Sequence, residues 1–276
     1  MTGGRLIAIE DADDPRIAEF RDIRERDMTG RQGRFIAEGT VVLRLLAQAH
    51  LSQRGFVAEK VLLLRNRVAG LEEIIAAFPP DVPIYVADAA VLDGIVGFHL
   101  HRGVLALGRR VAEDDFRELI GALPRRALVL VGCGISNHDN VGSMFRNAAA
   151  FGADALFLDE TSCDPLYRKA VRVSVGSVLT MPYRRQGAAA EILGALADSG
   201  FAIWSLSPRG ETDIRAIGPS ERAALVVGTE GEGLPEAILS AFGSARISQA
   251  PGLDSLNVAT ATGIALFELA SAMQRI

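Results

Sequence analysis

The chain has 276 residues, of which 49% are hydrophobic and 23% are charged. These proportions are typical of a globular protein of about two domains, and they exclude a disordered chain. The formal net charge of −5 counts mildly against nucleic-acid binding through an overall basic surface. Basic residues are instead concentrated in two places. One run contains no acidic residues and comprises Arg168, Lys169, Arg172, Arg184 and Arg185. The other cluster is mixed with acidic residues and comprises Arg21, Arg24, Arg26, Arg31 and Arg34.

Cys133 and Cys163 are the only cysteines, and their spacing matches no metal motif. Two unpaired thiols are typical of a reducing compartment. The sequence begins without a charged and then apolar leader, and no apolar run approaches the roughly 18 residues of a membrane span. His99 and His101 alternate on one segment, but two histidines without a third ligand predict no metal site. We therefore expect a soluble, cytoplasmic protein without a bound metal.

The N-terminal part predicts a small α/β domain over residues 1–108. Residues 1–30 are polar, with the period of a short helix. After them, strands and helices alternate. We predict strands at 35–37, 61–64, 83–86 and 103–107, and helices at 39–50, 71–78 and 89–94. Residues 109–126 are charged and contain Pro124, which predicts a linker with one short helix.

A second α/β domain is predicted over residues 127–276. The run from Ala127 to Val131 is continuously apolar, as in a parallel sheet that is covered on both faces. Gly152 is expected to end the helix that follows this strand. We predict strands at 127–131, 155–158, 178–181, 202–204 and 225–227, and helices at 141–151 and 256–275.

Asn140, Gly142 and Arg146 lie where the loop 132–139 enters a helix. The N-terminus of a helix presents unpaired N–H groups to an anion. Arg146 follows about one and a half turns later, so it is a candidate for holding a phosphate or a reacting oxygen. The alternative is an ordinary surface arginine on an amphipathic helix.

The segment from Gly228 to Leu234 follows the apolar strand 225–227 and so lies at the carboxyl edge of the sheet, where α/β proteins bind ligands. Its glycines allow the backbone to approach a ligand closely. It lacks the Gly-Lys-Ser/Thr ending of a nucleotide P-loop, which argues against a phosphate site of that kind. The alternative is a bare tight turn in which Glu230 and Glu232 are solvated.

A third stretch runs from Ile247 through Pro251 and Gly252 into the final helix. Ser255 is predicted to cap that helix, whereas Asn257, one position into it, is a poor helix former and requires another reason. Residues 259–263 have only small side chains. We therefore expect a partner subunit or a threaded segment of the chain to pack closely against them.

A different motif begins at Gly132 and continues through Gly134 to Asn137. Together with Asp159 after the next strand, it is similar to a dinucleotide-binding fingerprint. The third glycine is missing and the helix begins several residues late. A nucleotide-dependent oxidoreductase on a doubly wound sheet is therefore the less favoured interpretation.

Taken in order and at this spacing, three stretches resemble the motifs of the SpoU (TrmH-like) RNA ribose 2′-O-methyltransferases of the SPOUT superfamily. They are Asn140-x-Gly142-x-x-x-Arg146 with its continuation to Gly152, the loop from Gly228 to Leu234, and Ile247 through Ser255-Leu256-Asn257-Val258. The resemblance covers residues 127–276. The segment 34–39 and the elements after it resemble, more weakly, the N-terminal RNA substrate-binding domain of some members, which is similar to ribosomal-protein-like α/β folds.

The resemblance implies an α/β fold with a trefoil-knotted parallel sheet, S-adenosylmethionine bound at the knot, and a homodimer with the RNA site across its interface. It implies methyl transfer to a ribose 2′-hydroxyl of structured RNA, with rRNA favoured and tRNA as the other candidate. The alternative is a non-catalytic RNA-binding protein of the same fold. The cofactor would contact mainly the backbone of Gly228, Ile247 and Leu256, with Thr229 and Gly231 nearby, and Arg146 would be the key catalytic residue, supported by Asn140, Glu230, Ser255 and Asn257.

Two departures from the family pattern stand out. Many relatives have Ile-Pro-Met where this chain has Ile247-Ser248-Gln249, and a proline is common where it has His138-Asp139 before Asn140. The first departure can change the geometry of the cofactor loop, although the Pro251-Gly252 pair can stiffen it. We expect both to be variations within an active enzyme.

Overall fold

A computed structural model describes residues 5–21, 33–96, 103–111, 115–252 and 254–276. These divide into two compact units. The first unit comprises Met1–Glu113 and Leu166–Thr180, and the second comprises Asp114–Pro165 and Met181–Ile276. Compared with the predicted division, the segment 166–180 belongs to the first unit, and most of the predicted linker 109–126 belongs to the second.

Both units are built from alternating strands and helices. The strands are β1 (Leu6–Ile9), β2 (Arg34–Glu38), β3 (Phe56–Leu64), β4 (Ile84–Ala87), β5 (Val104–Arg110), β6 (Ala127–Gly132), β7 (Ala155–Leu158), β8 (Tyr183–Arg185), β9 (Ala202–Leu206), β10 (Thr212–Asp213), β11 (Arg222–Val227) and β12 (Gly243–Arg246). The helices are α1 (Thr40–Leu51), α2 (Glu72–Ala77), α3 (Ala89–Val96), α4 (Phe116–Ala122), α5 (His138–Ala150), α6 (Arg168–Val173), α7 (Ala189–Asp198), α8 (Glu236–Ala241) and α9 (Val258–Ala272). Short 3₁₀ helices occur at Pro15–Phe20, Arg65–Arg67, Ser177–Leu179 and Ile214–Ala216.

The first unit contains a five-stranded mixed sheet in the order β1-β4-β3-β5-β2. Strand β5 pairs antiparallel with β2 and β3, whereas β4 pairs parallel with β1 and β3. Ile17 and Phe20 of the first 3₁₀ helix are fully buried in the core with Leu62 and Leu105. The predicted α/β domain is present, but β1 was missed because its stretch of sequence is short and flanked by polar residues.

The segment 166–180 is joined to the first unit by packing and by an ion pair. Helix α6 packs against β2, and Arg168 Nε donates to Glu38 Oε2 at 2.9 Å. Glu38 is 7% exposed, so the guanidinium compensates a carboxylate that the sheet has removed from water. Gly176 is in the left-handed region and lies so near α1 that a Cβ there would come within 2.8 Å of Leu45 Cδ1.

The second unit contains a seven-stranded, fully parallel sheet in the order β10-β12-β9-β11-β6-β7-β8. Every residue of β6 is buried, which confirms the prediction of a central strand covered on both faces. Val129 and Val131 face a core formed with α4, α7 and α8. Within the described residues, no helix is long and apolar enough to cross a membrane.

The predicted strand at 178–181 is wrong. The chain forms a 3₁₀ helix at Ser177–Leu179, and the strand follows at Tyr183–Arg185. Gly176 begins the turn in the left-handed region, and its carbonyl accepts the N–H of Leu179 at 2.9 Å. Val178 and Leu179 are buried, as they would be in a strand, so a short apolar run cannot distinguish the two conformations.

Candidate functional site

A cavity of about 270 Å³ lies in the second unit at the carboxyl ends of the adjacent strands β12, β9 and β11. Parallel strands end at the same edge of a sheet, so the loops that follow them meet there. The loop after each of these strands and the start of α9 form its wall. The lining residues are Leu206, Ser207, Pro208, Val227, Gly228, Thr229, Glu230, Gly231, Gly233, Ile247, Gln249, Ser255, Leu256, Asn257, Val258 and Ala261.

The cavity brings together two of the three stretches singled out in the sequence. All five residues predicted to hold the cofactor line it, namely Gly228, Thr229, Gly231, Ile247 and Leu256. Three residues predicted to support catalysis line it as well, namely Glu230, Ser255 and Asn257. Asn140 reaches this group through hydrogen bonds, whereas Arg146 does not line the cavity.

The loop after β11 is a closed turn in which the backbone at its start lies against the backbone at its end. Gly233 N donates to the Thr229 carbonyl at 3.2 Å, and Thr229 Oγ1 donates to the Gly233 carbonyl at 3.3 Å. A Cβ on Gly228 would come within 2.6 Å of the Leu234 nitrogen, so only glycine fits at that position. Gly231 and Gly233 are in the left-handed region, which favours glycine. The loop therefore presents bare backbone to the cavity.

Asn140, Glu230 and Asn257 form a closed polar network at the edge of the cavity. Asn140 Nδ2 donates to Glu230 Oε1 at 2.8 Å, and Asn257 Nδ2 donates to Glu230 Oε1 at 2.8 Å and to Asn140 Oδ1 at 2.9 Å. Asn140 is 5% exposed, so these bonds satisfy an amide that has little access to water. Asn140 and Asn257, which are more than 100 positions apart in the sequence, thereby hold each other in place.

The prediction that Ser255 caps the final helix is wrong. The N-cap is Asn257, whose Oδ1 accepts the N–H groups of Ala259 at 3.0 Å and Thr260 at 3.2 Å. Ser255 lies two residues earlier and is exposed at the cavity wall. The reason sought for Asn257 is therefore twofold, because its oxygen caps α9 while its nitrogen binds the polar network.

The small residues at the start of α9 allow α5 of the same chain to approach. Asn147 Nδ2 donates to the Ala259 carbonyl at 2.8 Å, and a Cβ on Gly263 would come within 3.1 Å of that nitrogen. Thr262 is fully buried and donates its hydroxyl hydrogen to the Val258 carbonyl. The sequence predicted a partner subunit or a threaded segment at this place, whereas the neighbour in the structure is a helix of the second unit itself.

Arg146 lies on the exposed face of α5. Within the described ranges, its guanidinium makes no hydrogen bond or ion pair. Close to it in the sequence, Ala149 and Ala150 are exposed as well, and Phe151 packs edge-on against Phe267 of α9, with ring centroids 5.8 Å apart. Phe267 is 47% exposed and Ile264, one turn earlier, is 38% exposed. The arginine therefore belongs to the helix pair that carries these exposed apolar residues.

Asp159 holds the loop after β6, which the sequence analysis compared with a dinucleotide fingerprint. Its Oδ1 accepts the N–H of Gly134 at 2.9 Å and the hydroxyl of Ser162 at 2.7 Å, and its Oδ2 accepts the hydroxyl of Thr161. Asp159 is 7% exposed and both of its oxygens accept hydrogen bonds from the loop, so in this structure the carboxylate holds the loop. Burial, with a smaller effect of Asp159, raises the pKa of Cys133 to about 12, and burial raises the pKa of Cys163 to about 11. Both cysteines are free and protonated at neutral pH.

Local hydrogen bonds compensate both departures from the family pattern. At the start of α5, Asn137 Oδ1 accepts the N–H of Asp139 at 2.8 Å, which caps the helix without a proline. After β12, Ser248 Oγ donates to Asp213 Oδ2 at 2.6 Å. Arg215 donates to both oxygens of that carboxylate, and the bonds from Arg215 and then Ser248 hold the pKa of Asp213 well below its usual range.

The basic clusters are only partly available for binding. In the run near residue 170, Arg168 pairs with Glu38, and Arg185 donates to the carbonyls of Ser162 and Glu160. This run is also divided between the two units. In the N-terminal cluster, Arg21 pairs with Asp13 and Arg34 with Glu59. Arg24, Arg26 and Arg31 lie outside the described residues, as do His99 and His101.

Sequence reasoning missed two parts of the cavity wall. Leu206, Ser207 and Pro208 follow β9, and their signal was a polar-proline turn directly after a predicted strand. Gln249, which departs from the family pattern, also lines the cavity. The wall is apolar on the sides of Leu206, Ile247 and Leu256 and offers backbone at Gly228, which fits a nucleoside-containing cofactor.

Comparison with known proteins identifies the class of molecule to which this fold and site belong. The sequence profile of the SpoU rRNA Methylase family matches residues 127–267. A protein of Mycobacterium bovis described as an uncharacterized tRNA/rRNA methyltransferase is 39% identical over 268 residues, which cover 94% of this chain and 89% of that protein. RlmB of Escherichia coli, a 23S rRNA (guanosine-2′-O-)-methyltransferase, is 31% identical over 193 residues, which cover 68% of this chain and 78% of RlmB.

Among solved structures, the AdoMet-bound rRNA methyltransferase from Sinorhizobium meliloti has the same fold, with a TM-score of 0.80 and 24% identity over 99% of each chain. The chain belongs to the SpoU rRNA methylase family. The family and the α/β fold class predicted from the sequence are thereby confirmed.

Proposed function

We propose that the protein transfers a methyl group from S-adenosylmethionine to a ribose 2′-hydroxyl of structured RNA, with rRNA as the favoured substrate. The enzyme class and the cofactor predicted from the sequence agree with its family and with relatives such as RlmB, which methylates 23S rRNA. The observation that carries the proposal is a single cavity that the second and third sequence motifs line. Asn140 of the first motif is linked to it by its hydrogen bond to Glu230. RNA is the partner, and we place its modification in the cytoplasm.

The cofactor is held mainly by backbone. Gly228, Ile247 and Leu256 all line the cavity, and Thr229 and Gly231 continue the closed turn after Gly228. The close approach of the Gly233 and Leu234 backbone excludes a Cβ at Gly228, so this residue lines the cavity without a side chain. When bound, S-adenosylmethionine supplies an electrophilic methyl group on a sulfonium.

The protein has to make a ribose hydroxyl reactive and hold it in line. A guanidinium stays protonated because its pKa is above roughly 12, so Arg146 binds the adjacent phosphate and donates to the oxygen that becomes negative. Asn140, Glu230 and Asn257 are rigid because each bonds the others, and they orient the acceptor nucleotide at the cavity edge. Ser255 is exposed at the same wall and can donate to the nucleotide.

A homodimer completes this site. Arg146 lies outside the cavity of its own chain, on the helix pair whose exposed side carries Ile264 and Phe267. Apolar residues grouped on one helix face are typical of a subunit interface. Pairing two chains through α5 and α9 buries this surface and brings Arg146 of one subunit to the RNA bound by the other.

A trefoil knot accounts for the path of the segment 247–257. It leaves β12 on the far side of β9 and returns to α9, which packs against β11 and α5. On this path it shares the cavity wall with the loops after β9 and β11. Threading through those loops, an exception to the usual absence of knots, would hold the wall closed.

For the first unit, we propose that residues 1–108 form the RNA substrate-binding domain.

Replacement of Arg146 by alanine tests the assignment. We expect the R146A variant to lose at least about 10²–10³-fold in methylation rate while it binds S-adenosylhomocysteine like the wild type, because the arginine stabilises charge without lining the cavity. The R117A variant, which removes an exposed arginine of the same unit, is the control and keeps full activity. Methyl incorporation into RNA and calorimetry provide the two measurements.

Near wild-type methylation by R146A would disprove the role of this arginine. A wild-type protein that binds RNA but neither binds S-adenosylhomocysteine nor methylates any RNA would support the non-catalytic alternative. Mapping 2′-O-methyl positions in cells with and without the gene distinguishes rRNA from tRNA as the substrate.

A further inference from the structure

Gln249 contributes a hydrogen-bond acceptor to the cavity that the protein itself does not use. The residue lines the cavity, and its Oε1 is fully buried without a hydrogen-bond partner among the described residues. A buried carbonyl oxygen without a donor is costly, and a hydrogen-bond donor on a molecule bound in the cavity would remove that cost. Apolar side chains would meet no such cost at this position.

The loop that carries Gln249 is held in place at its preceding residues. Ser248 Oγ donates to Asp213 Oδ2 at 2.6 Å, and Arg215 binds the same carboxylate through Nε and Nη2, both at 2.8 Å. Arg246 Nη1 donates to the Gly210 carbonyl at 2.8 Å. These bonds restrain the chain on the N-terminal side of Gln249, so this part of the loop is positioned before a ligand arrives.

We infer that Gln249 Oε1 accepts a hydrogen bond from the exocyclic amino group of the adenine of S-adenosylmethionine, and so selects for this base. The inference rests on the proposed function. Gln249 shares the wall of this cavity with the apolar side chains of Leu206, Ile247 and Leu256, which suit a flat base better than the charged amino-acid end of the cofactor. A neutral carboxamide oxygen matches a neutral amine, because neither group brings a charge into the cavity.

The experiment compares two ligands on two proteins by calorimetry. The ligands are S-adenosylhomocysteine and its 6-deamino analogue, in which purine replaces adenine. The Q249M variant keeps the length of the side chain and removes the acceptor. We expect the wild type to bind the deamino analogue about threefold to tenfold more weakly, the effect of one neutral hydrogen bond, and Q249M to bind both ligands equally.

Two further variants make the result specific. Q249E keeps an acceptor and should keep the preference for the amino group, whereas Q48M, an exposed glutamine on α1, should bind like the wild type. Equal discrimination by wild type and Q249M, or equal weakening of both ligands by Q249M, would overturn the inference. A wild-type protein that binds neither ligand would instead contradict the proposed function, so the two failures are distinguishable.

Discussion

Asn257 shows how one side chain serves both the fold and the site. Its oxygen accepts two N–H groups of the first turn of α9, and its nitrogen donates to Asn140 and Glu230. An asparagine has both kinds of group, whereas serine and aspartate have no amide donors. The position therefore requires more than a capping residue. Serine would be sufficient to cap the helix, but only a side chain with an amide also donates to the network.

Substitution of Asn257 separates the two roles. The N257A variant should lose about 0.5–2 kcal/mol of stability because the cap is removed, whereas N257S should keep most of it because serine is also a good cap. Both variants should lose methylation activity, since neither carries the amide nitrogen that donates to Glu230 and Asn140. Thermal unfolding and initial rates are the measurements, and an active N257S would show that the network is dispensable.

At the scale of an element, the loop 228–234 depends on close contact between the backbone at its two ends. Gly228 lies against the backbone of Gly233 and Leu234, whose atoms approach a virtual Cβ within 2.6–2.7 Å. Backbone atoms cannot move aside as a flexible side chain can. The shape of this part of the cavity is therefore tied to the absence of one methyl group.

The G228A variant should fold but bind S-adenosylhomocysteine at least about tenfold more weakly, because the loop has to open to relieve the contact. G218A is the matched control, since a Cβ at Gly218 meets nothing within 4 Å. Calorimetry gives the affinities and thermal unfolding reports on the fold. Wild-type affinity in G228A would show that the closed turn does not shape the cofactor site.

At the scale of the whole molecule, the proposed homodimer is argued from the exposed side of α9. Phe267 and Ile264 are exposed apolar residues three positions apart, so they lie on the same side of the helix. Arg146 is on the neighbouring helix α5. A second copy of the chain would cover the apolar residues and give the arginine a function that it lacks within its own chain.

The F267E variant should therefore be monomeric, because a buried interface does not accept an unpaired carboxylate. Light scattering should give twice 29.4 kDa for the wild type and about 29.4 kDa for the variant. L51E, which changes an exposed apolar residue of α1, is the control and should stay dimeric. A monomeric wild type would refute the homodimer, and methylation by monomeric F267E would show that Arg146 acts within one chain.

Local patterns predicted much of the fold but not all of it. The apolar run at Ala127–Val131 predicts a covered parallel strand, and the structure has one there. The run at 178–181 was also apolar, but Gly176 turns the chain into a 3₁₀ helix before the strand. Likewise, Ser255 and Asn257 are both good capping residues, and the structure uses Asn257, whose amide also donates to Glu230.

The sequence by itself determined the family, the chemical types of the site residues and the order of the main elements, because glycines, capping residues and apolar runs act over a few neighbouring positions. Only the tertiary structure decided that Gly228, Ile247 and Leu256 border one cavity, that the segment 166–180 joins the first unit, and that Arg146 lies outside the cavity. Those outcomes depend on which strands become neighbours in the sheet. Strand order is set by packing between residues far apart in the chain, which no local pattern contains.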